Sequence, residues 1–322
     1  AVMVTDKQDI AFHLEQAVFL AKHGRPGPVW IDVPLDIQAA TIEYESLRHF
    51  EPQEGIDGAS QAEVARQIAE VKKFLSVKKR PAIIVGNGVR LSGSLDTLSA
   101  LIEKLKIPVL TAISGVDIIP SNHSLFFGRP GVLGERAANF IFQNSDMLII
   151  LGTRLNLRIL GFDFSSLARE ATRIMVDIDE HELHKPTFHV DVPIHCDVGV
   201  FMQSFLQTIT DEVFADCTPW LDYCNRLKHK YPLVLPEHRE KKDYVSSYYF
   251  SERLSELVES DDIIVTGNGT AYTTMHQVFK IKAGQRMFAN VGCAAMGYDL
   301  PAAIGACVAS GNHRIICVTG DG

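Results

Sequence analysis

Apolar residues at 10, 14, 17, 18, 20 and 21 recur at helical spacing within DKQDIAFHLEQAVFLAKH (6–23), with Thr5 or Asp6 as a cap. Gly24-Arg25-Pro26-Gly27 breaks that pattern, and PVWIDVP (28–34) predicts a short strand. One helix and one strand cannot bury a face between them. The opening therefore reads as the last piece of an α/β domain, residues 1–38, followed by a linker of mixed polarity at 39–58.

From there the period alternates between helix and strand. Helices are predicted at 60–77, 92–105, 134–143, 163–170 and 180–184. Strands are predicted at 81–85, 107–111, 146–151, 173–178 and 193–196. Continuous apolar runs such as PAIIVG and DMLIILG are those of strands covered on both faces, so a parallel sheet is expected across one complete domain, 59–210. An irregular stretch, CTPWLDYCNRLKHKYPLVLPEHREKKDYVSS (217–247), marks a second linker, taken as 211–247. A further series then begins: helix 248–259, strand 262–267, helix 270–279, strand 286–289, helix 300–310 and strand 314–319, a second α/β domain over 248–322. The fold class is α/β, with doubly wound parallel-sheet domains in tandem, the middle one complete and the flanking ones truncated.

Composition narrows the function classes. The 322 residues carry a net charge of −8 with scattered basic residues, which argues against a nucleic-acid partner. The most apolar long stretch, 291–310, contains Asp299 and Pro301, so a membrane span is not read there. The first residues lack a basic start and an apolar run, so no signal peptide is read and a cytoplasmic setting is expected. Cysteines at 196, 217, 224, 293, 307 and 317 form no C-x-x-C pair and read as reduced, mostly buried thiols.

Candidate chemistry sits at the turns that follow strands, where open α/β sheets bind ligands. Gly86-Asn87-Gly88, Gly152-Thr153-Arg154, Gly267-Asn268-Gly269 and Gly320-Asp321-Gly322 all have glycines that let backbone N–H groups approach a phosphate or simply form a tight turn. Arg154 and Arg158, four apart, could meet one anion or pair with surface carboxylates. Asp177 and Asp179 end a strand in the manner of acids that accept ribose hydroxyls, and Asp179 could equally be a helix cap. Asp321, between two glycines after a buried strand, suits Mg²⁺, whose further ligands would lie beyond Gly322.

Taken together, GRPGPVWIDVPLDIQ (24–38), IIVGNGVR, IPVLTAISGVDIIP, GVLGERAANFIFQNSDMLIILGTRLNLRILG, VDIDEHELHKP, ANVGCAAMGYDLPAAIGA and the terminal GDG resemble, in order, the thiamine-diphosphate-dependent enzymes of the acetolactate synthase group. The resemblance implies three α/β domains: a pyrimidine-binding domain that residues 1–38 would end, a central FAD- or nucleotide-binding-like domain, and the first part of a diphosphate-binding domain. It implies decarboxylation of a 2-keto acid, pyruvate, and ligation of the two-carbon unit to a second carbonyl. It also implies a homodimer or homotetramer, because the active site forms between subunits.

Carried over residue by residue, the resemblance makes Asp321 the Mg²⁺ ligand, with Gly320 and Gly322 shaping its loop. Gly269, Thr270 and Ala271 meet the diphosphate, Met296 props thiamine diphosphate in its bent form, and the carbonyl of Ala294 accepts from its amino group. FAD contacts fall at or near Gly86, Gly88, Thr111, Gly131, Arg154, Arg158, Asp179 and Asp197. The activating Glu falls upstream of Ala1, so no catalytic residue is expected within this chain and the isolated fragment is expected to be inactive. Gly131-Val132-Leu133-Gly134 lacks the family's histidine, and Arg154-Leu155-Asn156-Leu157-Arg158 lacks both its acids. GTAYTTM replaces the usual diphosphate loop and is similar to relatives that use a keto-sugar acceptor. The alternative is a non-catalytic flavin- or nucleotide-binding module.

Overall fold

The structure, a computed structural model, describes residues 1–52, 58–209 and 214–320. Strands β1 (Val2–Met3) and β2 (Ile31–Asp32) pair in parallel, linked by the helix Ile10–Lys22. Strands β3 (Pro81–Val85), β4 (Val109–Thr111), β5 (Met147–Leu151), β6 (Thr172–Asp177) and β7 (Val192–His195) form an all-parallel sheet ordered β4-β3-β5-β6-β7. Strands β8 (Ile263–Thr266), β9 (Arg286–Ala289) and β10 (Ile315–Val318) form a second parallel sheet ordered β10-β8-β9.

Every residue of β3 and β5 is buried, which is why they read as unbroken apolar runs and not as alternating ones. Ile83, Val85, Ile149 and Leu151 pack on one side with the helices Gln61–Val77, Leu95–Leu105 and Val198–Thr208. Ala82, Ile84, Leu148 and Ile150 pack on the other with Arg136–Asn144 and Thr218–Lys230. The helix Gln61–Val77 shows the local logic: Ser60 caps it by accepting from Glu63 N at 3.3 Å, and Val64, Ile68, Val71 and Leu75 supply one apolar stripe. β4 leaves β3 on one side and β5 to β7 lie on the other, so the order reverses between β3 and β5. A crevice opens at such a point beyond the carboxyl ends.

Three expectations need correction. The stretch 217–247 is not irregular throughout: Thr218–Lys230 is helical and buries Trp220, Cys224 and Leu227, with the Trp220 indole N–H donating to the Pro81 carbonyl at 3.0 Å. The helix expected at 163–170 shrinks to a single 3₁₀ turn, Phe164–Ser166, with Ala168 in the left-handed region at φ +37°. The helix expected at 92–105 starts later, as Leu95–Leu105, and a separate short helix, Gly88–Leu91, precedes it, with Gly93 at φ +68° between them. All six cysteines are free; Cys196 and Cys224 are buried, whereas Cys293 is exposed. No helix among the described residues is long and apolar enough to cross a membrane.

Candidate functional site

Three chain segments meet at the carboxyl end of the second sheet. The turn Gly267-Asn268-Gly269 follows β8, the loop through Ala294 and Met296 follows β9, and Thr319-Gly320 follows β10. Gly267 N donates to the Val318 carbonyl at 2.8 Å, and the Asn268 side-chain amide donates to the Ala295 carbonyl at 2.7 Å, so the first segment is bonded to the last residue of β10 and to the loop after β9. A Cβ on Gly267 would strike the carboxylate of buried Asp299, which would have to move to admit it.

Gly269 starts the helix Thr270–Val278 at φ +65°, ψ −136°, a conformation reserved for glycine, and nothing lies within 4 Å of the place a Cβ would take. This leaves an open cradle in front of the free N–H groups of the helix's first turn, Thr270 and Ala271 among them, which suits an anionic diphosphate. Ala294 stands in the left-handed region at φ +51°, and Met296 is 75% exposed on the same loop. Gly320 has open space around it. Asp321 and Gly322 lie outside the described residues, and among the described residues no group of three or more His, Cys, Asp or Glu could hold a metal ion.

A second candidate site is a cavity of about 500 Å³ at the carboxyl end of the five-stranded sheet. Its wall includes Asn87, Gly88, Gly152, Arg154, Asn156, Asp177 and Asp197, closed on one side by Gly24, Arg25 and Pro26 and on another by Val291 and Gly292. The size suits a cofactor or part of one. Thr111, fully buried at the end of β4, has a hydroxyl with no hydrogen-bond partner. Burial pushes the Asp177 carboxyl up, partly opposed by the Asp179 N–H bonded to it at 3.0 Å.

The eight residues expected around FAD divide. Gly88, Arg154 and Asp197 line the cavity. Gly86 and Gly88 are explained by packing: a Cβ on Gly88 would stand 2.7 Å from Gly152 Cα, and one on Gly86 would strike Thr153. Gly131, at φ +144°, lies against the Arg158 carbonyl and is clamped by the Asn139 side chain through bonds of 2.8 and 2.9 Å. Arg154 and Arg158 do not converge. Arg154 faces Glu182 at 3.4 Å, whereas Arg158 stacks 5.3 Å from the Tyr272 ring centroid. Only Leu157–Leu160 is helical and Leu155 has φ +43°, so a spacing of four does not put both arginines on one face.

Asp179 is a cap, accepting from His181 N at 3.0 Å, and pairs with Arg25 at 2.7 Å, which holds its carboxyl below the usual range despite some burial. Asp197 also caps a helix, accepting from Gly199 N at 2.8 Å, but it keeps one side on the cavity. The acid of the 177/179 pair that faces the cavity is Asp177. Residues two apart on a strand would share a face, but β6 ends at Asp177 and Asp179 already caps the next helix, a break that the sequence alone does not reveal. Arg25, from the opening segment, could not have been assigned to this wall without the tertiary fold.

Comparison with known proteins places these elements. The sequence profile of the thiamine pyrophosphate enzyme central domain matches residues 68–205, and that of the thiamine pyrophosphate enzyme C-terminal TPP binding domain matches residues 267–322. The acetolactate synthase large subunit of Lactococcus lactis subsp. lactis (strain IL1403) is 32% identical over 322 residues, covering 99% of this chain and 54% of the relative. The acetolactate synthase large subunit of Corynebacterium glutamicum is 32% identical, covering 99% and 50%. Acetolactate synthase isozyme 1 large subunit of Escherichia coli (strain K12) is 29% identical, covering 100% and 56%. The chain spans about half the length of the curated relatives it matches.

Proposed function

The chain belongs to the thiamine pyrophosphate enzymes, and from that premise we propose that the protein decarboxylates pyruvate and ligates the two-carbon unit to a second carbonyl, on a 2-keto acid or a keto-sugar. The observation that carries this reading is the bonded convergence of the turn after β8, the loop after β9 and the end of β10, with Gly269 opening a helix N-terminus into free space. Thiamine diphosphate supplies the electron sink that lets a 2-keto acid lose CO₂.

In this proposal Gly269, Thr270 and Ala271 bind the diphosphate through backbone N–H groups. The Ala294 carbonyl and the Met296 side chain orient the aminopyrimidine and thiazolium rings. Asp321 holds Mg²⁺ in a loop shaped by Gly320 and Gly322. FAD takes the central cavity, with Arg154, Asp177 and Asp197 in its wall; Thr111, whose buried hydroxyl has no partner, is followed directly by the wall residue Ala112. The units are 1–38, 59–210 and 248–322, the helix Thr218–Lys230 joining the middle one by its packing. A cytoplasmic homodimer or homotetramer completes the picture, with the activating Glu in the pyrimidine-binding domain. Residues 1–322 alone are expected to release no CO₂ from pyruvate.

The test is CO₂ release from pyruvate by the protein produced from its own gene, with and without thiamine diphosphate and Mg²⁺. Release that depends on both supports the proposal, and thiamine diphosphate binding without release overturns the carboligase assignment. A second reading, a non-catalytic flavin- or nucleotide-binding module, draws on the 500 Å³ central cavity. A bound flavin with no thiamine diphosphate affinity would sustain it.

A further inference from the structure

The segment Ala112–Asp117 belongs to two places at once. Ala112, Ile113 and Ser114 form part of the wall of the central cavity, whereas Val116 is buried in the apolar core of the second sheet with Ile264, Phe279 and Met287. Beside it, the Asp117 side chain is 1% exposed. Its carboxylate accepts hydrogen bonds from Arg90 Nη2 at 3.0 Å, from the Met287 backbone N–H at 3.0 Å and from Arg286 Nη1.

These partners lead to the two candidate sites. Arg90 lies in the short helix Gly88–Leu91, of which Gly88 and Leu91 line the cavity. Arg286 and Met287 begin β9, and the loop that leaves β9 returns Val291 and Gly292 to the same cavity before it reaches Ala294 and Met296. Asp117 therefore fastens the start of β9, the strand that carries the loop at its other end, to the short helix on the opposite wall. Four residues further on, Ser121 is joined to Ile281 through two bonds of 2.9 Å. Gly292, Cys293, Ala295, Met296 and Gly297 are exposed, so the loop itself has freedom to lose when a ligand settles on either side of it.

We propose that the central cavity and the site at the end of the second sheet bind their ligands cooperatively through this shared loop, with Asp117 as the positioning residue that transmits the effect. The inference rests on the assignment of FAD and thiamine diphosphate to the two sites. A ligand in the cavity touches Val291 and Gly292 and pays part of the ordering that a second ligand at Ala294 and Met296 needs. Linkage makes the effect reciprocal. Without the Asp117 carboxylate, Arg90 and Arg286 lose their shared counter-charge and the strand that carries the loop is no longer held at its start to the short helix on the cavity wall.

The experiment is calorimetric titration of the protein produced from its own gene, using thiamine diphosphate with Mg²⁺ in the presence and absence of saturating FAD, and the converse. The wild type is expected to show tighter binding of each by the same factor, about 5-fold or more. In Asp117→Asn and in Arg286→Gln that factor falls to about one. Arg286, 39% exposed, carries the test if the Asp117 variant does not fold. An Asp117 that matters only for stability would lower the melting temperature and leave the factor intact. Binding of both cofactors by the wild type with a factor of one, or a wild-type factor in both variants, overturns the inference alone. A wild type that binds neither cofactor overturns the function assignment and this inference with it.

Discussion

Asn268 and Ala295 are joined by a 2.7 Å hydrogen bond from side-chain amide to carbonyl. It ties the turn after β8 to the loop after β9 across the end of the second sheet. Because Asn268 lies on the surface of this end, the bond contributes little to folding and mostly to loop placement. Asn268→Ala is expected to weaken thiamine diphosphate binding about 5-fold, the equivalent of one net hydrogen bond of about 1 kcal/mol, with the melting temperature nearly unchanged. Titration and thermal melting of the same sample check both halves.

Two glycines separate strain from collision. At Gly269 a Cβ meets no atom within 4 Å, so Gly269→Ala pays only for its backbone conformation, about 1–3 kcal/mol, and still folds. At Gly88 a Cβ would lie 2.7 Å from Gly152 Cα, backbone against backbone. Gly88→Ala is expected to lower the melting temperature clearly further than Gly269→Ala. Equal melting curves would refute the packing explanation.

Trp220→Phe tests whether the helix Thr218–Lys230 is integral to the central core. The substitution removes the indole donor and leaves the Pro81 carbonyl unpaired in a buried setting. A loss of about 1–3 kcal/mol is expected in urea unfolding, read as a lower midpoint with an unchanged slope.

His276 gives a pH dependence with a definite sign. The ring is buried, its Nδ1 lies 3.1 Å from the Tyr272 carbonyl, which can only accept, and burial followed by the positive charge of Arg129 pushes its pKa down to about 3. The unfolded chain binds the proton near pH 6.5 and the folded chain does not. The contribution to stability is therefore complete above about 6.5 and is lost as pH falls toward 3, at up to about 1.4 kcal/mol per pH unit. His276→Gln is expected to flatten unfolding free energy against pH in this window. A wild type that gains stability on acidification relative to the variant would contradict the assignment.

Much of the fold was legible because its signals are local. The stripe Val64, Ile68, Val71 and Leu75 and the runs at 81–85 and 147–151 need no partner to be recognised. The helix Thr218–Lys230 was hidden because Trp220, Cys224 and Leu227 are diluted by charged residues, so the helical period did not stand out. The site was legible where a motif is contiguous, as at Gly267–Ala271 and Ala294–Met296. It was not legible where the contact is tertiary: the mutual packing of Gly86, Gly88 and Gly152, the choice of Asp177 over Asp179, and Asp117, a lone acid in a loop whose partners lie 27 and 169 residues away.

The most direct measurement is thiamine diphosphate binding as a function of Mg²⁺, made on the protein from its own gene and on its Asp321→Ala variant. The account predicts saturable, Mg²⁺-dependent binding in the wild type that the variant loses. Binding that is independent of Mg²⁺, or equal in the two proteins, would contradict it.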